Sequence, residues 1–337
     1  MGRLARVELR RYLSRAAVRW LVVAMLAAVL ITTFSAWRVS PPPTQAQVTW
    51  AQQQLTVAQS DWAQHREQYL ADCRSAQQAQ QAQLAEAQQP GSPQAIRCEA
   101  IAPKLEDFLP PRPTFADSAD GWLGSVATFV LLLSLIVGAT FVAAEFSTGS
   151  IATWLTFEPR RGHVFASKAA VVSLATGVVA LVVSALAVGG FWVATAVHHA
   201  SGDVTAQTLT DLGNQSARIT AAAAGAALVG AVLAFLLRHT AAVVAVVIAW
   251  AIAFDQLLAT SLLHAPRWAL TTNLEAWLHG GTTYYQEGPC VPDPLGGLAC
   301  HSLQVPLSMT TGGLTLVVLV AVVTGLALLV FRRRDVA

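Results

Sequence analysis

The sequence predicts an all-α polytopic membrane protein with six transmembrane helices, both termini in the cytoplasm and a helical extracytoplasmic insert after the first span. Three observations carry that expectation. The chain of 337 residues is 54% hydrophobic and only 12% charged, about half the roughly 25% charge of soluble domains. It contains six apolar stretches free of Lys and Arg, at 20–37, 122–144, 169–197, 219–237, 241–258 and 314–331. Roughly 20 such residues in a helix cross the ~30 Å hydrocarbon layer. The basic residues are also unevenly placed. With both termini inside, thirteen of the 21 Lys and Arg but only four of the 19 Asp and Glu fall on the cytoplasmic side, as the excess of bases in short inner loops requires. The inner segments then carry +9 and the remainder −7, for a net +2. That near-neutral total offers no overall field for nucleic acid, and none is expected as a partner.

Taken in order, residues 1–19 form a cytoplasmic tail rich in Arg. The run at 20–37 exceeds the roughly 7–15 apolar residues of a signal peptide and is expected to stay as an uncleaved anchor. Residues 38–121 are the candidate soluble module. After Pro41, Pro42 and Pro43, a Gln- and Ala-rich stretch continues to Gln89 without Gly or Pro, which reads as one long helix. Along it Val48, Leu55, Trp62, Tyr69 and Ala76 recur every seven residues, a narrow apolar seam of the kind one helix offers another. This arm is either a hairpin that caps the bundle or a surface that collects substrate or a partner. Pro110, Pro111 and Pro113 stiffen the return to the second span at 122–144.

The third span, 169–197, is longer than a bilayer needs and is expected to tilt or project. His198 and His199 at its outer end read as an interfacial polar cap. In the fourth span, 219–237, Ala222, Ala226, Gly230 and Ala234 recur at four-residue spacing, which lets another helix approach closely. Internal packing and dimerisation fit that stripe equally well. Asp255, in the fifth span at 241–258, is an acid within a membrane run and so a candidate pathway or gate residue. The outer loop 259–313 includes an interfacial helix at 266–279, with Trp268 and Trp277 at headgroup level. The span at 314–331 leads into a basic cytoplasmic tail, 332–337.

All four cysteines fall on the outer side, where disulfides persist. Cys73 and Cys98 share the first outer segment, and Cys290 and Cys300 the last. Pairing within each segment is the economical choice among three connectivities. No Cys-x-x-Cys spacing occurs, and no metal site is expected.

The inner connection at 145–168 carries the most specific signal. An apolar helix leaves the bilayer at Glu145 and Phe146, and Gly149 permits a bend. A short amphipathic piece then presents Ile151, Trp154, Leu155 and Phe157 before Glu158 and Pro159, and Arg160, Arg161 and Lys168 hold the segment at the anionic inner face. Four apolar side chains on a cytoplasmic shelf call for a partner surface or the headgroup layer.

Over 138–168, through Gly138, Glu145, Gly149 and the run Glu158, Pro159, Arg160, Arg161, the chain resembles the type-2 ABC exporter permeases, especially their actinobacterial members. The resemblance implies a plasma-membrane permease that forms the export pathway with a second copy or a paralogue. It implies that residues 145–161 are a coupling helix seated in separate ABC ATPase subunits, and that residues 2–14 lie as an amphipathic helix on the inner leaflet. The long outer arm departs from compact members of that family. No catalytic residue is expected in this chain, which lacks the Gly-x4-Gly-Lys-[Ser/Thr] phosphate loop, the Gly-x-Ser-x-Gly elbow and the His-Glu-x-x-His helix. ATP and Mg would bind in the partner subunit, and no cofactor in this one. The alternative is a membrane-anchored receptor or scaffold that uses the outer arm.

Overall fold

The computed structural model describes residues 2–86, 98, 101–157, 160–262, 265–292 and 298–333. They divide into two compact units, 41–113 and the rest of the chain.

The larger unit is a helical bundle. Five of its helices are long and apolar enough to cross a membrane: α2 (Ala16–Val39), α4 (Phe115–Ser147), α6 (Arg161–Ala196), α7 (Ala206–Leu237) and α10 (Met309–Arg333). The amphipathic α1 (Gly2–Ser14) precedes α2, and the short α5 (Ser150–Phe157) joins α4 to α6. The stretch expected as the fifth span, 241–258, forms an 11-residue α8 (Thr240–Trp250), continued by a π-helical segment, Ala251–Leu262. Such widened turns accompany local constraints, and here Asp255 within the segment bonds the backbone of the next helix.

The α4 helix is the axis of the bundle, with two thirds of its apolar window enclosed, against about a tenth for α10. Its broadest partner is α7, and close approach explains the fit. A methyl group added at Gly138 would strike the carbonyl of Ala227, and one at Gly230 the carbonyl of Leu135. Small residues let membrane helices approach this far, which maximises dispersion contact where lipid supplies no hydrophobic drive. The exposed faces are apolar, with Leu314, Val317, Val318 and Val322 along α10 and Leu174, Val178 and Leu181 along α6.

The segment after α8 departs from an all-α expectation. A 3-10 turn (Pro266–Trp268) leads into α9 (Leu270–His279), as the interfacial helix at 266–279 anticipates, but an antiparallel hairpin follows. It consists of β1 (Gly281–Pro292) and β2 (Leu298–Ser308). Thr282, Thr283, Tyr284 and Tyr285 open β1, a β-branched and aromatic run suited to a strand.

The smaller unit holds the kinked α3 (Gln45–Glu86), whose backbone leaves helical geometry at His65. A disulfide joins Cys73 to Cys98. The return carries a 3-10 turn, Leu105–Phe108, packed on α3, so the arm closes without a second long helix among the described residues. Trp62 and Tyr69 of the seven-residue seam stack on one another, centroids 5.7 Å apart.

Candidate functional site

At the end of the bundle where α4 runs into α5, five charged side chains from α1, the α1–α2 link, α4 and α6 converge. Glu145, in the last turn of α4, is 2% exposed, Glu8 of α1 is 1% exposed, and Lys168 of α6 is fully buried. The Lys168 ammonium lies 2.8 Å from Glu8 Oε1 and 2.6 Å from Glu145 Oε2. Arg15, between α1 and α2, places Nη2 2.9 Å from Glu145 Oε1, and Arg11 approaches the same oxygen at 3.7 Å and Glu8 at 3.9 Å. Arg15 also donates to the carbonyls of Thr140 and Phe141.

Aromatic rings close the site. The Arg11 guanidinium sits over Trp154 of α5 at 4.5 Å, with Lys168 at 5.7 Å from the same ring. Arg15 and Lys168 approach Phe141 at 4.7 and 5.8 Å. Such contacts are worth about 2 kcal/mol or more when desolvated. The Tyr12 ring lies 5.9 Å from Phe141, and its hydroxyl shares a 3.1 Å hydrogen bond with Thr176 of α6. Burial pushes the Tyr12 phenol above its ordinary value, partly offset by that bond. Burial likewise pulls Arg15 below its ordinary value, while Glu145 and Glu8 work against the pull.

Each buried ion gives up several kcal/mol of solvation, which only close, multiply bonded partners recover. The cluster therefore couples α1, α4 and α6 as one body, and α5 is fastened to it through Trp154. Gly149, at φ +67°, makes the left-handed turn between α4 and α5 that a side chain would strain.

The residues of the inner segment divide by environment. Glu145 lies inside the ion cluster rather than on an outward face, and Ile151, expected at the surface, is 2% exposed. Trp154 is half-buried under Arg11, whereas Phe157 is 82% exposed. Phe146 belongs to an aromatic group in which Phe235 lies 5.9, 4.7 and 4.9 Å from Phe146, Phe165 and Phe331. Arg160 is exposed and Arg161 donates to the carbonyl of Phe331. Lys168, expected at the lipid headgroups, is interior instead. Glu158, Pro159 and the Leu155 side chain lie outside the described residues.

Elsewhere, both carboxylate oxygens of Asp255 accept backbone amides at the start of α9, from Leu270 at 2.9 Å and Thr271 at 2.8 Å. This is the contact of a helix cap. Within the α7 stripe, Gly230 and Ala234 are buried while Ala222 and Ala226 are partly exposed. Cys290 stands opposite Cys300 in the hairpin register, and the side chains of both lie outside the described residues. Among the described residues no group of three His, Cys, Asp or Glu could hold a metal ion.

Two members of the cluster, Glu8 and Tyr12, are not among the candidate site residues of the sequence. A signal for Glu8 was present, since it is the single acid in a tail of six arginines and Lys168 is one of two lysines in the chain. Comparison with protein-family models, curated proteins and solved structures gives no match.

Proposed function

We propose that this chain is the permease subunit of an ATP-driven exporter, with α5 as the element that receives the stroke of a separate ATPase subunit. The observation that carries the reading is the mounting of α5. An eight-residue helix with Phe157 fully presented would be a poor lever if it hung on flexible loops. Here it is anchored to a charge cluster from which α4 and α6 both extend as spans and to which α1 is tied. A push on Phe157 would then be delivered to two spans at once. The resemblance over 138–168 supports the same reading.

In this reading the chain crosses the plasma membrane six times, the additional crossing being α8 with its π-helical continuation, and both termini are cytoplasmic. Two permease chains, identical or paralogous, line the pathway, and ATP and Mg bind in the partner ATPase. The reading as a receptor or scaffold draws on α3, where Trp50 and Val57 are exposed. Affinity purification of the full chain from its native membranes discriminates the two. An ATPase subunit in stoichiometric amount is expected, and its absence under gentle solubilisation defeats the permease reading.

A further inference from the structure

The two faces of α1 differ in character. Glu8 and Tyr12 mark the inner face, held by the Lys168 ammonium at 2.8 Å and the Thr176 hydroxyl at 3.1 Å. These bonds fix the rotation of the helix. Arg6 and Arg10 each stand two residues from Glu8, about 200° round the helix, and both are exposed. Arg19, in the first turn of α2, is exposed as well. Among the described residues none of these three arginines is in an ion pair. Glu8, the only acid in residues 1–60, is taken up by Lys168. The outer face therefore carries unopposed positive charge.

A second feature, independent of charge, sets the depth of that face. Through Arg15 alone α1 passes into α2, which is long and apolar enough to cross a membrane and exposes Trp20 and Val23 near its start. On the inner face, Tyr12 meets α6 at Thr176, eight residues beyond Lys168 and so about 12 Å further along that apolar helix. The C-terminal end of α1 thus slopes into the apolar zone, and there Leu9 and Leu13 stand exposed beside the arginines. An acidic protein surface would match the arginines and leave the leucines in water. A phospholipid matches both, with acyl chain for the leucines and phosphate for the arginines.

We propose that the outer face of α1 is a binding surface for anionic phospholipid, which the chain gathers from a mixed bilayer. Headgroup phosphates lie against Arg6, Arg10 and Arg19, whose planar guanidinium groups suit bidentate bonds to phosphate, and acyl chains lie against Leu9 and Leu13. The surface belongs to this chain alone. It rests neither on the permease reading nor on which side of the membrane α1 occupies.

The test places a fluorescent amino acid at Ser14, exposed at the end of the same face, in the full chain reconstituted into phosphatidylcholine nanodiscs. Quenching by a minor fraction of brominated phosphatidylglycerol is compared with quenching by the same fraction of brominated phosphatidylcholine. The anionic lipid should quench as if enriched at least about fivefold near the probe, the gain that one arginine at an anionic surface supplies. Arg6→Gln, Arg10→Gln and Arg19→Gln together, all at exposed positions, should bring the two lipids level while quenching by phosphatidylcholine persists. The same probe at Val322, on the exposed apolar face of α10, should show no preference. Equal quenching by the two lipids at Ser14, no quenching there by either, a preference that survives the three substitutions, or an equal preference at Val322 overturns the proposal.

Discussion

Replacing Lys168 by Met removes the ammonium while keeping an unbranched side chain of similar length. Its Nζ is 2.8 Å from Glu8 and 2.6 Å from Glu145. Without it Glu145 retains Arg15 at 2.9 Å, but Glu8 is left with Arg11 at 3.9 Å. Removing one partner of a buried pair costs about 3–5 kcal/mol. The loss falls mainly on Glu8, which regains water if α1 lifts from α6. Taking the lower figure, about 3 kcal/mol, the opening of α1 becomes roughly a hundredfold more frequent at ~1.36 kcal/mol per decade. Trypsin cleavage at Arg10 and Arg11 reports that equilibrium when reclosing outpaces cutting. Lys168→Met should therefore be cut about a hundredfold faster there than the parent. Adding Glu8→Gln removes the stranded charge and should bring the rate back to within about tenfold. A Lys168→Met rate within about threefold of the parent would refute the claim that the cluster holds α1 in place.

Three further outcomes follow from the same description. Gly138→Ala should destabilise the detergent-solubilised protein by about 1–3 kcal/mol through overpacking against Ala227. Gly225→Ala, with nothing near its added methyl, should be neutral or stabilising; equal melting of the two variants would contradict the close α4–α7 approach. Non-reducing peptide mapping should recover Cys73 linked to Cys98 and Cys290 linked to Cys300, and free thiols at 290 and 300 would remove the second pairing. Single cysteines at Ser60 and Thr208 should react with an impermeant thiol reagent on intact cells, whereas one at Ser147 should not. Labelling at Ser147 would reverse the orientation.

The long apolar helices were legible because their signal is composition over a long window: 219–237 lies within α7 and 314–331 within α10. The amphipathic 2–14 is α1 itself. Where sequence reading failed, the cause was contact at a distance. Lys168 looked like a headgroup anchor because a lysine at the start of an apolar run usually is one, and only the approach of Glu8, 160 residues away, makes it interior. Ile151 looked exposed because periodicity cannot reveal what packs over a two-turn helix. The hairpin could have been read from its alternation and its Pro- and Gly-rich connection at 293–297, but a search for apolar helices passes over it. Along α7, Gly230 and Ala234 of the four-residue stripe are buried, and so is the neighbouring row Ala223, Ala227 and Ala231. The choice between these neighbouring registers belongs to α4, through Gly138.

The reading of α5 as a force-receiving element is tested most directly by a photo-crosslinking amino acid placed at Phe157 in the full chain, activated in native membranes, with the captured species identified by mass spectrometry. The side chain there is 82% exposed, so the probe replaces no interior contact. The account predicts one dominant protein adduct, to a nucleotide-binding ATPase subunit, lost when that subunit is deleted. Adducts confined to lipid, or to a protein without an ATPase fold, would contradict it.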